Sequence, residues 1–545
     1  MRFVIALPKK KRQLLMSLFF AWIGVQGLFW YWWLQPEHAE SYFRFLINSS
    51  VFVNSTISGF WFFLFALRAR KLKAELDPKL RVAMIVTKAP SEPFEIAKNT
   101  LLAFKSQDYP YAYDVWLADE DPDSNTIQWA KENNVNISCR KGIPGYHNVE
   151  WPKRAKCKEG NLMYFYDTYG YENYDVVCQF DIDHIPNANY LRTVVKNFSN
   201  PKIGYVACPS LNDRGSENSW YGRGRMYAES CVQGFMQLGY NDGFCPICIG
   251  SHYAVRTQAL KMAGGIGPEL AEDYSTSAII NNAGWDGVFE IEAEAHGDSP
   301  ANFMDGITQE LQWSRSLMAI ALKWRGVIMG KIPFNKKVNL LYSLLWYPLV
   351  SFTMFANVLI PIVAVAFDKS FAKIDFVFFI VLIFLIEAPT IIGISIFKNK
   401  GLLRPKNAKL FGLEATFYNI AKWPWIIMGI SYSIVDLFSK TPFKFKVTPK
   451  GITEVPPISL VSLFPYLMIV LISNLVLIIF GENMLLIGYS YLVMLNIMIY
   501  TILEFYIIFK HFNEAHPKQL LTFPTLIAIL SSVLLTMYTV YIIFN

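Results

Sequence analysis

Apolar runs long enough to cross a bilayer enclose one long charged segment, and this alternation constrains the chain more than any other feature. A span needs about 20 mostly apolar residues. Such runs are read at Leu14–Leu34, Leu46–Leu67, Val338–Phe367, Ile374–Phe397, Pro457–Phe480, Leu485–Phe509 and Leu520–Phe544. Between the second and third, Arg68–Lys337 carries most of the charge and most of the glycines. Apolar residues make up 53% of the chain and charged residues 17%, against about 25% charged in soluble domains. A disordered chain, a coiled coil and a purely cytosolic enzyme are excluded.

The distribution of basic residues orients the spans. Arg2, Lys9, Lys10, Lys11 and Arg12 place the N-terminus inside. The charged segment, the Lys398–Lys409 loop, and Lys510 with Lys518 then fall inside, and the C-terminus outside. The stretch Phe411–Phe438 holds Glu414, Lys422 and Asp436 among tryptophans and reads as an interfacial amphipathic helix. If it crossed, Lys440, Lys444, Lys446 and Lys450 would lie outside. The opening basic cluster is expected to precede an anchor rather than a cleaved signal, since no small-residue cleavage site follows Leu34. The net charge of +7 fits orientation in a membrane rather than nucleic-acid binding. The seven cysteines, clustered at 139–248, read as reduced thiols facing the cytosol. Cys245 and Cys248 form a lone CxxC pair with no second ligand pair.

Inside the charged segment, strands and helices alternate. Strands are expected at Arg81–Thr87, Asp114–Ala118 and Tyr174–Phe180, with helices at Glu95–Gln107 and Ser124–Glu132. This order predicts a parallel, doubly wound sheet, and in such sheets ligands bind beyond the carboxyl ends of the strands. Acids gather there: Asp119, Glu120 and Asp121 after the second strand, Asp181 and Asp183 after the third. Hard oxygen ligands at that spacing suit Mg²⁺ or Mn²⁺ with substrate phosphates. No GxGxxG follows the first strand and no GxxxxGK[ST] occurs, which argues against dinucleotide and P-loop sites. Gln309–Lys331 reads as an amphipathic helix on the inner leaflet. Glu387 and Glu504 each interrupt an apolar span, where a carboxylate usually faces a partner or a water-filled path.

Several of these residues, in order, resemble the processive membrane glycosyltransferases of family 2: cellulose synthase, with hyaluronan and chitin synthases as relatives. The likeness covers about residues 80–510. Ser91-Glu92-Pro93 sits where the family has Asn-Glu-Pro. Asp119 takes the place of the uridine-holding Asp. Lys158-Glu159-Gly160-Asn161-Leu162 resembles the motif whose Lys approaches the diphosphate, and Asp181-Ile182-Asp183 resembles the Asp-x-Asp metal motif. Gly250-Ser251, with Arg256 and Leu260, resembles the acceptor-side Gly-Ser loop. Glu272-Asp273 resembles the end of Thr-Glu-Asp, whose Asp is the general base. Gln309-Glu310-Leu311-Gln312-Trp313 resembles Gln-x-x-Arg-Trp, whose Trp underlies the acceptor sugar. Phe445, Val447, Thr448 and Lys450 match the gating loop of cellulose synthases, the most discriminating match, since hyaluronan and chitin synthases lack it.

The resemblance implies an α/β GT-A-type nucleotide-sugar domain, a doubly wound mixed sheet, inserted between about seven transmembrane helices. Its divisions are 1–67 (two transmembrane helices), 68–308 (cytosolic transferase domain), 309–337 (interfacial helices), 338–397 (two transmembrane helices), 398–456 (interfacial helix and gating loop) and 457–545 (three transmembrane helices). It implies a multi-pass protein of the inner or plasma membrane, with its catalytic domain in the cytoplasm. The implied activity is inverting transfer from a UDP-sugar, UDP-glucose first, to a growing β-linked polysaccharide that crosses the membrane. Mg²⁺ or Mn²⁺ is the implied cofactor. Membrane lipids and accessory secretion subunits are the further partners, and nucleic acid is not one.

Departures keep alternatives open. Gln312 stands where the family has Arg, with Arg315 and Arg325 as nearby cations, and Ala271 where it has Thr. Ile249 precedes Gly-Ser where the family has Cys, with Cys248 one place earlier. No cyclic-di-GMP domain is expected after the last span. A non-processive or amino-sugar transferase, acting on another exopolysaccharide or a lipid-linked acceptor, is the nearest alternative. A transporter or inactive assembly subunit is the alternative from another class.

Overall fold

The computed structural model describes residues 2–155, 157–438, 455–480 and 487–544. The residues of the expected gating loop, Phe445, Val447, Thr448 and Lys450, lie outside the described residues. Among the described residues seven helices are long and apolar enough to cross a membrane: Lys9–Trp33, Tyr42–Arg68, Phe334–Phe367, Phe376–Lys398, Leu460–Phe480, Gly488–Ala515 and Phe523–Ile543. They match the seven expected runs, the pattern of a multi-pass membrane protein. The strand Arg2–Ile5 pairs antiparallel with Arg70–Lys73. The start of the first helix and the end of the second are therefore held together beside the charged domain.

That domain is built on a seven-stranded sheet. Its spatial order is Asp286–Phe289, Ile203–Ala207, His252–Arg256, Val176–Phe180, Val82–Lys88, Tyr113–Asp119, Asn136–Ser138. The four strands at the Asn136 end of this order run parallel to one another. His252–Arg256 runs antiparallel between Val176–Phe180 and Ile203–Ala207. The sheet is therefore mixed, as the family resemblance implies; the alternation of strands and helices alone reads only its parallel part, because an antiparallel strand inserted from far along the chain leaves no periodic signature of its own. All five residues of Val176–Phe180 are buried, as a strand covered on both faces requires. A second, three-stranded sheet joins Ile185–Pro186, Ala295–Asp298 and Ser210–Arg214 beside the carboxyl end of Val176–Phe180.

Two long helices connect domain and spans. Phe303–Lys323 begins ahead of Gln309, where the sequence reading starts its amphipathic helix, because the Asn302 side chain caps it by accepting from Asp305 N. Leu413–Asp436 is not among the seven span candidates. The two cross closely at Gly429, where a Cβ would lie 2.1 Å from Ser314 Oγ. Trp423 and Trp425 of the second donate through Nε1 to the Tyr500 and Tyr466 hydroxyls, at 2.8 and 3.0 Å. This helix therefore seats the domain on the helices Leu460–Phe480 and Ile487–Lys510.

The loop after the fourth apolar helix is fixed by one cation. Arg404 is fully buried and meets Glu294 at 2.5 Å and Glu292 at 2.9 Å. Its Nε also donates to Ile291 O at 3.1 Å. Removing one partner of a buried pair leaves an uncompensated charge and costs about 3–5 kcal/mol. Arg404→Ala is expected to destabilise the detergent-solubilised protein by about that amount, read as a fall in its thermal unfolding midpoint. Lys406→Ala, which removes an exposed partner of the same acids, is expected to leave the midpoint within error.

Candidate functional site

The site forms where Val176–Phe180 ends. In the antiparallel register His252 lies opposite Phe180, so the residues before His252 meet the residues after Phe180. Asp181 N donates to Ser251 O at 2.7 Å. Gly250 has φ +88°, and a Cβ there would lie 2.4 Å from Ser210 Oγ. A glycine is required by both conformation and space. Two segments separated widely in sequence, Asp181–Asp183 and Gly250–Ser251, become one wall.

The helix Glu272–Asn282 delivers the opposing acids. Asp273 Oδ2 accepts from Gly250 N at 2.5 Å and Oδ1 from Tyr274 N at 2.8 Å. Lys158, near the start of the helix Lys158–Phe165, reaches between the walls. Its Nζ lies 2.6 Å from Asp181 Oδ1 and 3.4 Å from Glu272 Oε1. Burial opposes the charge on Lys158, but Asp181, Glu272 and Asp273 outweigh it and raise its pKa. Burial raises Glu272. Burial, with Glu272 next to it, raises the Asp273 carboxyl to about 8.

All of these groups face one cavity of about 1340 Å³. Asp181, Asp183, Lys158, Glu92, Gly250, Ser251, Glu272, Asp273, Gln309, Gln312 and Trp313 line it. Glu92 also accepts from Ala89 N at 2.9 Å, which closes the turn after the strand Val82–Lys88. Asp119 is brought to the site but not onto the wall. It is fully buried behind Lys88, with the two 3.2 Å apart, and it is Lys88 that lines the cavity. The sequence reading missed Lys88, which reaches Asp119 only through the parallel register of the two strands. His184 was missed as a wall residue too.

Three further expectations are corrected. Arg315 does not stand in at the position of Gln312, because it makes two contacts of 2.6 Å with Asp436. Arg256 is turned away from the site and donates to the Ile203 and Phe198 carbonyls. Glu387 is exposed on the outer face of its helix and Glu504 is buried with Oε1 unbonded among the described residues, and neither lines the cavity. An apolar sequence flanking an acid does not tell which helix face the acid occupies.

The Asp181 and Asp183 carboxylates provide hard oxygen donors on one wall, which fits a magnesium-like cation. Among the described residues no three His, Cys, Asp or Glu side chains gather as a closed metal cage.

Residues 176–388 match the family model described as glycosyl transferase family group 2. The match covers less than half of the chain, and over it the chain is similar to family 2 glycosyltransferases. Among solved structures it is similar to a mannosyltransferase from Pyrobaculum calidifontis in complex with GDP-Man and Mn²⁺. That likeness has 16% identity and a TM-score of 0.48, over 72% of this chain and 99% of that one. It is also similar to glucosyl-3-phosphoglycerate synthase from Mycobacterium tuberculosis in complex with Mn²⁺, UDP and glucosyl-3-phosphoglycerate. There the identity is 13% and the TM-score 0.30, over 47% and 81% of the two chains.

Gly250→Ala is expected to cost about 1–3 kcal/mol in backbone strain and to displace the loop that bonds Asp273. The check is thermal unfolding beside Gly142→Ala, where φ is +71° but nothing lies within 4 Å of the added Cβ. The Gly250 variant should lose clearly more stability than the Gly142 variant.

Proposed function

We propose that this chain transfers a hexosyl unit from a nucleoside-diphosphate sugar, UDP-glucose first, onto a growing β-linked polysaccharide, and passes the product toward its membrane helices. What supports the reading is one continuous cavity. The strand-end acids, Lys158, Asp273 and Trp313 line it together with Trp61, Tyr342, Ser343 and Trp346 of the apolar helices. A donor bound at the acids and an acceptor on the aromatic side would meet at Asp273.

The acceptor hydroxyl attacks C1 of the donor sugar, and the bond from C1 to the phosphate oxygen breaks. The nucleoside diphosphate departs with the electron pair of that bond, and the hydroxyl proton goes to Asp273. One displacement inverts the anomeric centre. Lys158 offers the diphosphate the N–H donors that Asp181 does not take, and Asp181 and Glu272 hold it in place by charge. Asp181 and Asp183 would hold a divalent cation, which supplies neutralisation of the departing diphosphate when bound. Glu92 and Asp119 are assigned to the donor, the latter through Lys88. Gly250, Ser251, Glu272 and Trp313 are assigned to the acceptor, with Gln309 and Gln312 between diphosphate and acceptor. Phe445, Val447, Thr448 and Lys450 are assigned to gating. The presence of Gln312 in place of Arg favours a second reading, a non-processive or amino-sugar transferase with another acceptor, because a diphosphate contact is then missing.

Asp181→Asn or Asp183→Asn is expected to abolish nucleoside diphosphate release from the purified protein at any Mn²⁺ or Mg²⁺ level, with the unfolding midpoint retained. Full turnover in EDTA would contradict this assignment. The proton acceptor gives a pH signature. Its folded pKa of about 8 leaves Asp273 protonated, and unable to act as base, below that pH. Turnover should therefore rise by about tenfold per pH unit from acid pH and level near pH 8. In Asp273→Asn, transfer should fall to background at every pH while donor binding persists.

A further inference from the structure

Past Trp313 the cavity wall changes character, and the change is not explained by the transfer step. The helix Trp220–Glu229 places the Arg225 guanidinium over the Trp313 ring, 4.2 Å from its centroid. Among the described residues its one ion pair is Nε to Glu229 Oε1 at 3.3 Å. Lys422, on Leu413–Asp436, lies 4.2 Å over the Tyr418 ring and has no ion pair among the described residues. Both side chains are largely buried, and both line the cavity.

The acids nearby are already engaged. Glu310, fully buried, accepts from the Tyr418 hydroxyl at 2.6 Å and from the Tyr347 hydroxyl at 3.1 Å. Glu229 Oε1 takes the Arg225 Nε and the Tyr418 hydroxyl, both at 3.3 Å. The carboxylates thus accept from tyrosine hydroxyls, while Arg225 and Lys422 both line the cavity. Arg carries five N–H donors and Lys three, and neither accepts. A neutral sugar hydroxyl satisfies such donors weakly. An acceptor-only anion satisfies them with charge-assisted bonds of about twice the strength. Burial pushes the Lys422 amine below its usual range, and an anion beside it would oppose that shift.

We propose that Arg225 and Lys422 form an acceptor subsite for an anionic group, a carboxylate or phosphate carried by the growing product one unit or more beyond the reacting sugar. This rests on the assignment of the Trp313 side of the cavity to the acceptor. The anion could be a uronic acid within the glycan or the phosphate of a lipid carrier, and the two share the chemistry that Arg225 and Lys422 recognise. Arg225, stacked on Trp313, would fix the register of the acceptor chain against the ring.

The test uses the full chain in lipid nanodiscs with a donor that supports nucleoside diphosphate release. Three acceptors are compared: a neutral oligosaccharide, the same oligosaccharide ending in a uronic acid, and the neutral sugar carried on a prenyl phosphate. One of the anionic acceptors is expected to show a KM lower by about tenfold or more than the neutral one, the size of a charge-assisted bond. Which of the two does so identifies the source. Arg225→Gln and Lys422→Gln should each remove that advantage in KM with little change in kcat, and Arg225→Lys should keep part of it. If Arg225→Gln fails to fold for want of the Glu229 pair, Lys422→Gln decides, since Lys422 has no such pair. Equal KM for all three acceptors, or an advantage that survives Lys422→Gln, overturns the anionic subsite alone. Failure of every nucleotide sugar to release its nucleotide overturns the transferase reading together with it.

Discussion

The Lys158 ammonium, 2.6 Å from Asp181 and 3.4 Å from Glu272, is the interaction around which the site is arranged. Without it the buried carboxylates Glu272 and Asp273 would stand beside Asp181 with no cation between them. With it, the acid on the strand-end wall remains paired. The helix-borne Asp273 sits outside the pair, accepts only backbone N–H groups, and carries the raised pKa. Two acids in one cavity are thus set apart by their surroundings: Asp181 pairs with Lys158, and burial raises Asp273.

Keeping that arrangement against the membrane helices requires rigid seams, and these are ionic as well as apolar. Arg223 of the domain meets Glu414 of Leu413–Asp436 and Glu514 at the end of the sixth apolar helix, each at 2.6 Å. Arg315 meets Asp436 at 2.6 Å, and Arg404 closes on Glu292 and Glu294. Gly224, whose Cβ would lie 2.4 Å from Glu414 O, lets the helix backbones approach closely enough for these pairs to form. The cavity therefore runs from the sheet to the apolar helices between surfaces that are fixed to each other.

The seven apolar helices were legible because they need only length and composition. The strand ends bearing Asp119, Asp181 and Asp183 were legible from short buried runs followed by acids. What the sequence did not reveal is pairing across distance. Nothing local announces that His252–Arg256 runs antiparallel beside Val176–Phe180, yet that register alone joins Gly250–Ser251 to Asp181. The Arg225–Trp313 stack and the Lys88–Asp119 pair are hidden for the same reason. Glu387 was misjudged because an apolar run around an acid fixes its depth in a span but not its direction.

The account rests on a single displacement between the Asp181 wall and Asp273. The anomeric configuration of the bond formed from an α-linked nucleotide sugar, determined by NMR on product from the purified chain, tests this most directly. A β linkage is the result the account predicts. An α linkage would require a second displacement or a front-face path for which Asp273 has no role, and would contradict it.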